Sequence, residues 1–177
     1  VNGTALTEGE INVAATGTPS ASYTAGWNNV NAVNDGKPPF FTGGAQADLW
    51  GTWTGAEPPT RWLQYDFPSP VRVDRASIDF WSDSTTGGVG VAVPRSWTLQ
   101  YWNGTAWADV TGATGFDPAV SGSTNQVSFD AVTTTALRAT FNALPDAAGT
   151  AYSAVGVSEW RVFAAAATSI QTVDART

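Results

Sequence analysis

What this chain can do chemically is bounded first by the residues it lacks. Its 177 residues include no histidine, cysteine or methionine, but fifteen acidic residues and nine tryptophans. Without histidine there is no Ser/His/Asp or Cys/His triad. With neither histidine nor cysteine there is no ordinary zinc or copper site, because those ions take sulfur or imidazole ligands. Carboxylate chemistry remains, as an oxygen-ligated calcium ion or as a carboxylate pair flanking a glycosidic bond. Asp35 precedes Gly36 in a loop rich in Asn and Pro, where a carboxylate and inward-turned carbonyls can supply the about six to eight oxygens that calcium takes. Glu159 lies in an otherwise apolar segment, where burial without a charged partner is costly. A cation answers that cost. The plainer alternative is that Asp35 opens a turn and Glu159 pairs with an arginine such as Arg161.

The second resource is flat aromatic surface. Ala25-Gly26-Trp27-Asn28-Asn29 sets Trp27 in a polar loop beside two carboxamides. In Trp50-Gly51-Thr52-Trp53-Thr54 the two indoles cannot face the same side of a regular strand, so one packs inward and one outward. Trp81-Ser82-Asp83 ends an apolar run and opens a glycine-rich loop reaching Pro94-Arg95. Long loops on a rigid scaffold carry recognition, which makes Trp81, Asp83 and Arg95 contact candidates, with Tyr152 in the polar stretch before Val155. Rings folded onto the scaffold and a merely connecting loop are the plainer readings.

Charge narrows the partners. The net charge is −7 and only one of the eight basic residues is a lysine, so no basic stripe tracks a phosphate backbone. Nucleic acid and anionic membranes are poor partners. No stretch approaches the ~20 apolar residues of a membrane span, and no charged segment followed by an apolar run marks a signal peptide. Low charge with abundant Thr, Ser, Gly, Asn and Trp fits a secreted bacterial module.

The elements that must position these residues read as short alternating runs between Gly/Pro/Asn/Asp clusters, with no sustained helical stripe, which is an all-β pattern. Strands are expected at Glu10–Ala14, Arg61–Phe67, Val71–Trp81, Ser96–Trp102, Ala106–Val110, Gln126–Ala131, Ala136–Phe141 and Val155–Phe163. The apolar parity shifts between Val73 and Ala76, predicting a bulge near Asp74–Arg75. Trp62, Trp97 and Trp160 fall within strands and are expected in the core. Trp102-Asn103-Gly104-Thr105-Ala106-Trp107 reads as a hairpin with Asn-Gly supplying positive φ and the flanking indoles packing across it. The domain is placed at 10–163, with a linker at 1–9 and a small-residue linker at 164–177.

Five segments in order carry a resemblance: Ile11-Asn12-Val13-Ala14-Ala15, Asn31-Ala32-Val33-Asn34-Asp35-Gly36, Trp62-Leu63-Gln64-Tyr65-Asp66-Phe67, Trp97-Thr98-Leu99-Gln100-Tyr101-Trp102 and Val157-Ser158-Glu159-Trp160-Arg161-Val162. Together they resemble the discoidin or coagulation factor type C superfamily. More narrowly, they are similar to the galactose-binding-like carbohydrate modules attached to bacterial glycoside hydrolases.

The resemblance implies a jelly-roll β-sandwich of about eight antiparallel strands, a structural calcium ion, and a ligand site on loops at one end. It implies Asp35 and Glu159 as side-chain calcium ligands, with carbonyls from Ala32 and Ser158. Lys37 and Phe40 stand where the family often has Asn or Asp and Thr, so either backbone carbonyls such as that of Lys37 serve or Thr42 moves in. Ser169-Ile170-Gln171-Thr172-Val173 further resembles the opening strand of a bacterial immunoglobulin-like domain.

A sugar presents apolar C–H faces with hydroxyls at the rim, so its platform combines exposed rings with planar hydrogen-bonding groups. The candidates are Trp27, Asn28, Asn29, Trp53, Trp81, Asp83, Arg95 and Tyr152. The expected function is a non-catalytic carbohydrate-binding module that holds a catalytic domain of the same chain on its polysaccharide. A structural spacer without a ligand is the alternative. A small glycosidase, needing two carboxylates about 5–9 Å apart in one cleft, is the third.

Overall fold

The computed structural model describes residues 11–116 and 119–166. The described residues form seven strands: β1 (Thr18–Ala21), β2 (Trp50–Gly51), β3 (Thr60–Trp81), β4 (Ser96–Trp102), β5 (Trp107–Asp109), β6 (Asn125–Asn142) and β7 (Gly156–Ala164). All pairings among them are antiparallel, in the order β2-β7-β3-β6-β4-β5 with β1 on β3. The result is a β-sandwich. The long strands β3 and β6 pass from one layer into the other. The first half of β3 pairs with β1 and with the end of β6, whereas its second half pairs with β7 and the start of β6.

The corner in β3 has a local cause. Ladder pairing with β6 lapses between Asp66 and Val71, across Pro68-Ser69-Pro70, because proline offers no N–H to a ladder. A second register shift falls between Val73 and Arg75 in both of β3's pairings, where the parity change predicts a bulge. Sequence spacing thus separates two strands at Phe67 and Val71 that the structure joins as one bent strand. The same holds for the two segments joined in β6. The expected strand at Glu10–Ala14 is replaced, over its described residues, by a single bridge from Asn12 to Phe163 and a 3₁₀ turn at Ala14–Thr16. Glu10 itself, the 1–9 linker, and the segment from Ala167 onward with the immunoglobulin-like start lie outside the described residues.

The core between the layers takes alternate residues: Leu63, Tyr65 and Phe67 from β3, Leu137, Ala139 and Phe141 from β6, and Trp97 and Leu99 from β4, all buried. Tyr65 stacks on Trp160 at 4.1 Å between ring centroids. Its hydroxyl donates to the Trp160 carbonyl at 2.8 Å, so the buried phenol is satisfied. Trp62 corrects the sequence expectation. Its neighbours Leu63 and Tyr65 point inward, so Trp62 faces outward and is only half-buried, with the Arg138 guanidinium 4.7 Å from its ring centroid.

The hairpin also differs in detail. Trp102 and Trp107 are cross-strand partners with rings 5.8 Å apart. The turn, however, spans residues 103–106, and only Gly104 takes a positive φ, +101°. The Asn103 side chain accepts from the Thr105 and Ala106 amides at 3.0 and 2.9 Å, closing the turn without a left-handed asparagine.

A second, smaller cluster of Leu49, Trp81, Val91 and Ala154, with Phe40 against it, lies apart from the main core. It is the floor on which the loops at this end of the sandwich rest.

Candidate functional site at the loop end

Trp27 and Trp53 are the two exposed indoles of the molecule, at 53% and 42%. Their ring centroids are 5.9 Å apart and their planes are tilted by 43°, so they form an open V. Backbone bonds to β2 set this geometry. The Ala25 amide donates to the Gly51 carbonyl at 2.9 Å and the Asn29 amide to the Leu49 carbonyl at 3.0 Å, zipping the Trp27 turn onto the strand that leads to Trp53. Thr52, between Gly51 and Trp53, is fully buried. Its hydroxyl accepts from the Val155 amide at 2.9 Å and its own amide donates to the Val155 carbonyl at 3.1 Å. On the far side, the Glu57 carboxylate receives the Thr54 amide, the Thr54 hydroxyl at 3.0 Å and the Gly55 amide at 3.2 Å, and pairs with Arg61 at 3.0 Å. Trp53 is therefore held on both sides.

Below the V lies a pocket of about 210 Å³ lined by Trp27, Asn28, Trp53, Trp81 and Asp83, completed by Gln46, Leu49, Gly51 and Val91. The structure brings five of the eight ligand candidates together here. Asn28 donates from Nδ2 to the Gln46 carbonyl at 2.8 Å. Its Oδ1 passes so close over Gly51 that a Cβ there would lie 2.5 Å away and displace the Asn28 side chain. Trp81 is buried beneath, its Nε1 donating to the Gly43 carbonyl at 2.8 Å. Asp83 accepts the Val91 amide at 2.8 Å, fixing the start of the glycine-rich loop.

The remaining three candidates fall elsewhere. Tyr152 shares a neighbouring hollow with Trp53, and Arg95 borders a separate one beyond Asp83. Asn29 lines none of these hollows; its side chain caps the 3₁₀ turn Val30–Asn34 by accepting the Asn31 amide at 3.0 Å. Gln46, Leu49, Gly51 and Val91 were not among the sequence candidates. Gln46 had no local signal, because its partner Asn28 is eighteen positions away.

The expected metal ligands lie on the outer face of β7 and in the loop that covers it. Asp35 ends the 3₁₀ turn that contains the buried Ala32. The Lys37 ammonium lies 3.3 Å from Asp35 and also contacts Asp48. The β3–β7 register runs from Asp79↔Glu159 to Phe80↔Val157, leaving Ser158 as the extra, bulged residue, a device that re-aims backbone and side chain. The Ser158 hydroxyl accepts the Phe40 amide at 3.2 Å.

Glu159 is buried, and its Oε2 has no hydrogen-bond partner. Burial, set against the favourable Arg161 charge and reinforced by the negative charges of Asp35 and Asp79, pushes its carboxyl up to about 7. Arg161 is committed instead to Asp79, at 2.8 Å. No group of three or more His, Cys, Asp or Glu side chains suited to a metal occurs among the described residues.

No family model matches the chain. Solved structures do match it in fold, and these β-sandwiches include carbohydrate-binding modules of bacterial glycoside hydrolases. One neighbour, from work on the Streptococcus pneumoniae β-galactosidase BgaA, aligns with a TM-score of 0.67 at 22% identity over 84% of this chain and 92% of that one. Chitosan-binding module 1 of a chitosanase/glucanase from Paenibacillus sp. IK-5 aligns at 0.59 and 21% identity, covering 86% and 98%. The family 32 module of Clostridium perfringens NanJ, solved with galactose, aligns at 0.57 and 17% identity, covering 86% and 97%. At these identities the likeness is one of fold.

Proposed function

We propose that this chain is a non-catalytic carbohydrate-binding module of a secreted bacterial glycoside hydrolase, holding the catalytic domain of the same protein on its glycan. The observation that carries the reading is the V of Trp27 and Trp53 above a pocket whose largely apolar wall includes Asn28, Gln46 and Asp83. Its exposed indole faces suit the apolar C–H face of a pyranose, and the Asn28 and Gln46 carboxamides and Asp83 suit its hydroxyls. The carboxylates near the pocket argue for binding over hydrolysis. Asp83 and Glu57 are both spent on holding loops, and neither stands free opposite the other as a general acid requires. Neighbours solved with galactose and with GalNAc-β-1,3-galactose are consistent with a sugar ligand on this fold.

Calcium fits the residues present. The orphaned, buried Glu159 Oε2 lacks a partner, Asp35 lies within its electrostatic reach, and the bulged Ser158 adjoins them. Asp35 and Glu159 would hold the ion, with carbonyls of Ala32, Lys37 and Ser158 as further donors. The Lys37 ammonium would then leave Asp35 and remain on Asp48. The ion supplies positive charge that joins the covering loop to β7, a structural role.

The test is a glycan array on the folded protein in calcium beside Trp27→Ala, with folding of the variant checked by circular dichroism. Retention of one sugar class that the variant loses is the expected result. Retention of no plant, fungal or bacterial glycan would instead make the domain a spacer.

A further inference from the structure

The pocket under Trp27 and Trp53 is one of several hollows that share walls. Trp53 also borders a hollow of about 250 Å³ that reaches Tyr152. Asp83 is shared with a hollow of about 360 Å³ between Phe41 and Ser121. Ser84, Thr85 and Ser121 in turn wall a hollow of about 340 Å³ backed by Val93, Pro94 and Leu144 and bordered by Arg95. Neighbouring hollows thus share lining residues in sequence, from Tyr152 past the indoles to Arg95.

The walls of this track are fixed. The Ser153 hydroxyl donates to the Val89 carbonyl at 2.9 Å, and the Asp83 and Ser84 amides both donate to the Val91 carbonyl, at 2.9 and 3.1 Å. A Cβ on Gly87 would lie 1.8 Å from the Pro145 carbonyl oxygen, so the glycine-rich loop is seated against the 144–153 segment. Preorganised walls lower the ordering cost of binding.

Each hollow is near or below the ~300 Å³ at which a pocket begins to enclose a drug-sized ligand. One sugar ring therefore uses only part of the series. The lining changes along it, from paired indoles, through hydroxyls, to an apolar wall with a guanidinium whose side chain has no hydrogen bond or ion pair among the described residues. We propose that the loop end binds the interior of a polysaccharide chain, with successive sugar units lying along this track and Arg95 contacting a unit remote from the indoles. This rests on the carbohydrate reading of Trp27 and Trp53 and specifies its ligand as an oligomer rather than a single terminal sugar.

The experiment is calorimetric titration of the protein with ladders of one to six units of β-1,4-glucan, β-1,4-galactan and chitosan oligosaccharides, on wild type, Arg95→Ala and Trp27→Ala. The expected result is a Kd at least tenfold lower for a tetramer than for its monomer on one ladder. Arg95→Ala should shrink that ratio severalfold, and Trp27→Ala should remove measurable binding to both. Equal affinity for monomer and tetramer, with a ratio untouched by Arg95→Ala, overturns the track and leaves the carbohydrate reading intact. Absence of binding to every ladder by a protein that also retains no glycan on the array, with Trp27→Ala indistinguishable from wild type, overturns the carbohydrate reading and the track with it.

Discussion

Two pairs of surface tryptophans in this molecule have the same composition and opposite availability. At the loop end, Trp27 and Trp53 contact each other and leave their faces to solvent. On the outer face of the sheet, Trp62 on β3 and Trp107 on β5 hold the Arg138 guanidinium between them, at 4.7 and 4.2 Å from the ring centroids. Arg138 is fixed there by Nη2 donating to Gln64 Oε1 at 2.7 Å. The sheet pair has in effect bound a cation of the protein itself. An indole offers a recognition surface only where its face is not already covered, so tryptophan content alone does not locate a site.

The pairs also differ in what secures them. The sheet pair rests on packing around the Arg138 guanidinium. The loop end leans on carboxylates: Lys37 contacts Asp48, Asp48 shares the 3₁₀ turn Gln46–Asp48 with Gln46, and Gln46 receives Asn28. The largest expected effect therefore follows from Glu159. Its folded carboxyl is raised from 4.5 to about 7, so the native state binds the extra proton. Its contribution is complete below pH 4.5 and is lost as pH rises through 7, a change of roughly 3 kcal/mol between the limits.

In EDTA, urea midpoints are expected to fall between pH 5 and pH 8 for wild type and to stay nearly level for Glu159→Gln. Millimolar calcium is expected to cancel the fall by favouring the carboxylate. An equal slope in the variant would remove Glu159 as its cause, and an unchanged slope with calcium would remove the ion.

The comparison breaks most directly if the two pairs respond alike to truncation. Trp27→Ala is expected to raise Kd about thirtyfold or more for whatever glycan the array retains, the ~2 kcal/mol of a binding hot spot. Trp62→Ala is expected to leave Kd within about twofold and to lower unfolding stability by about 1–2 kcal/mol. The reverse pattern in paired titrations and melts would move the site to the sheet face. Arg138→Ala sharpens the same contrast. Loss of two cation–π contacts at about 0.5–1 kcal/mol each should lower stability by about 1 kcal/mol in urea unfolding, with glycan affinity unchanged.

How much of this was legible in the sequence depends on the range of the contact involved. Ser96–Trp102 and the bulge after Val73 were readable because alternation is local, and the opposed faces of Trp50 and Trp53 followed from the same period. Trp62 was readable too. The inward run Leu63, Tyr65, Phe67 already places it outside. What was not readable lies in long-range pairing. The Arg138 bond to Gln64 spans 74 positions, and β3 continues past Pro68 and Pro70 with β6 paired to it on both sides of the corner, β1 beside it before and β7 after. At the site, Trp27 and Asn28 announced themselves as an indole and a carboxamide in a polar loop, whereas Gln46 and Gly51 meet Asn28 through contacts distant in sequence.

The contact of Gly51 with Asn28 yields the smallest expected effect and the finest test of the contrast. A Cβ at Gly51 would meet Asn28 Oδ1 at 2.5 Å, and the atom that must yield belongs to a side chain rather than to the backbone. Gly51→Ala should therefore fold, with Asn28 displaced from Gln46 and the pocket beneath the indoles reshaped. Glycan affinity is expected to fall only about two- to fivefold, below 1 kcal/mol, because Trp27 and Trp53 stay in place through the Ala25 and Thr52 backbone bonds. Asn28→Ala should reproduce that loss and make Gly51→Ala silent on top of it, since the added methyl then has nothing to displace. Additive losses in this double-mutant cycle would mean that Gly51 acts through the strand instead of through Asn28.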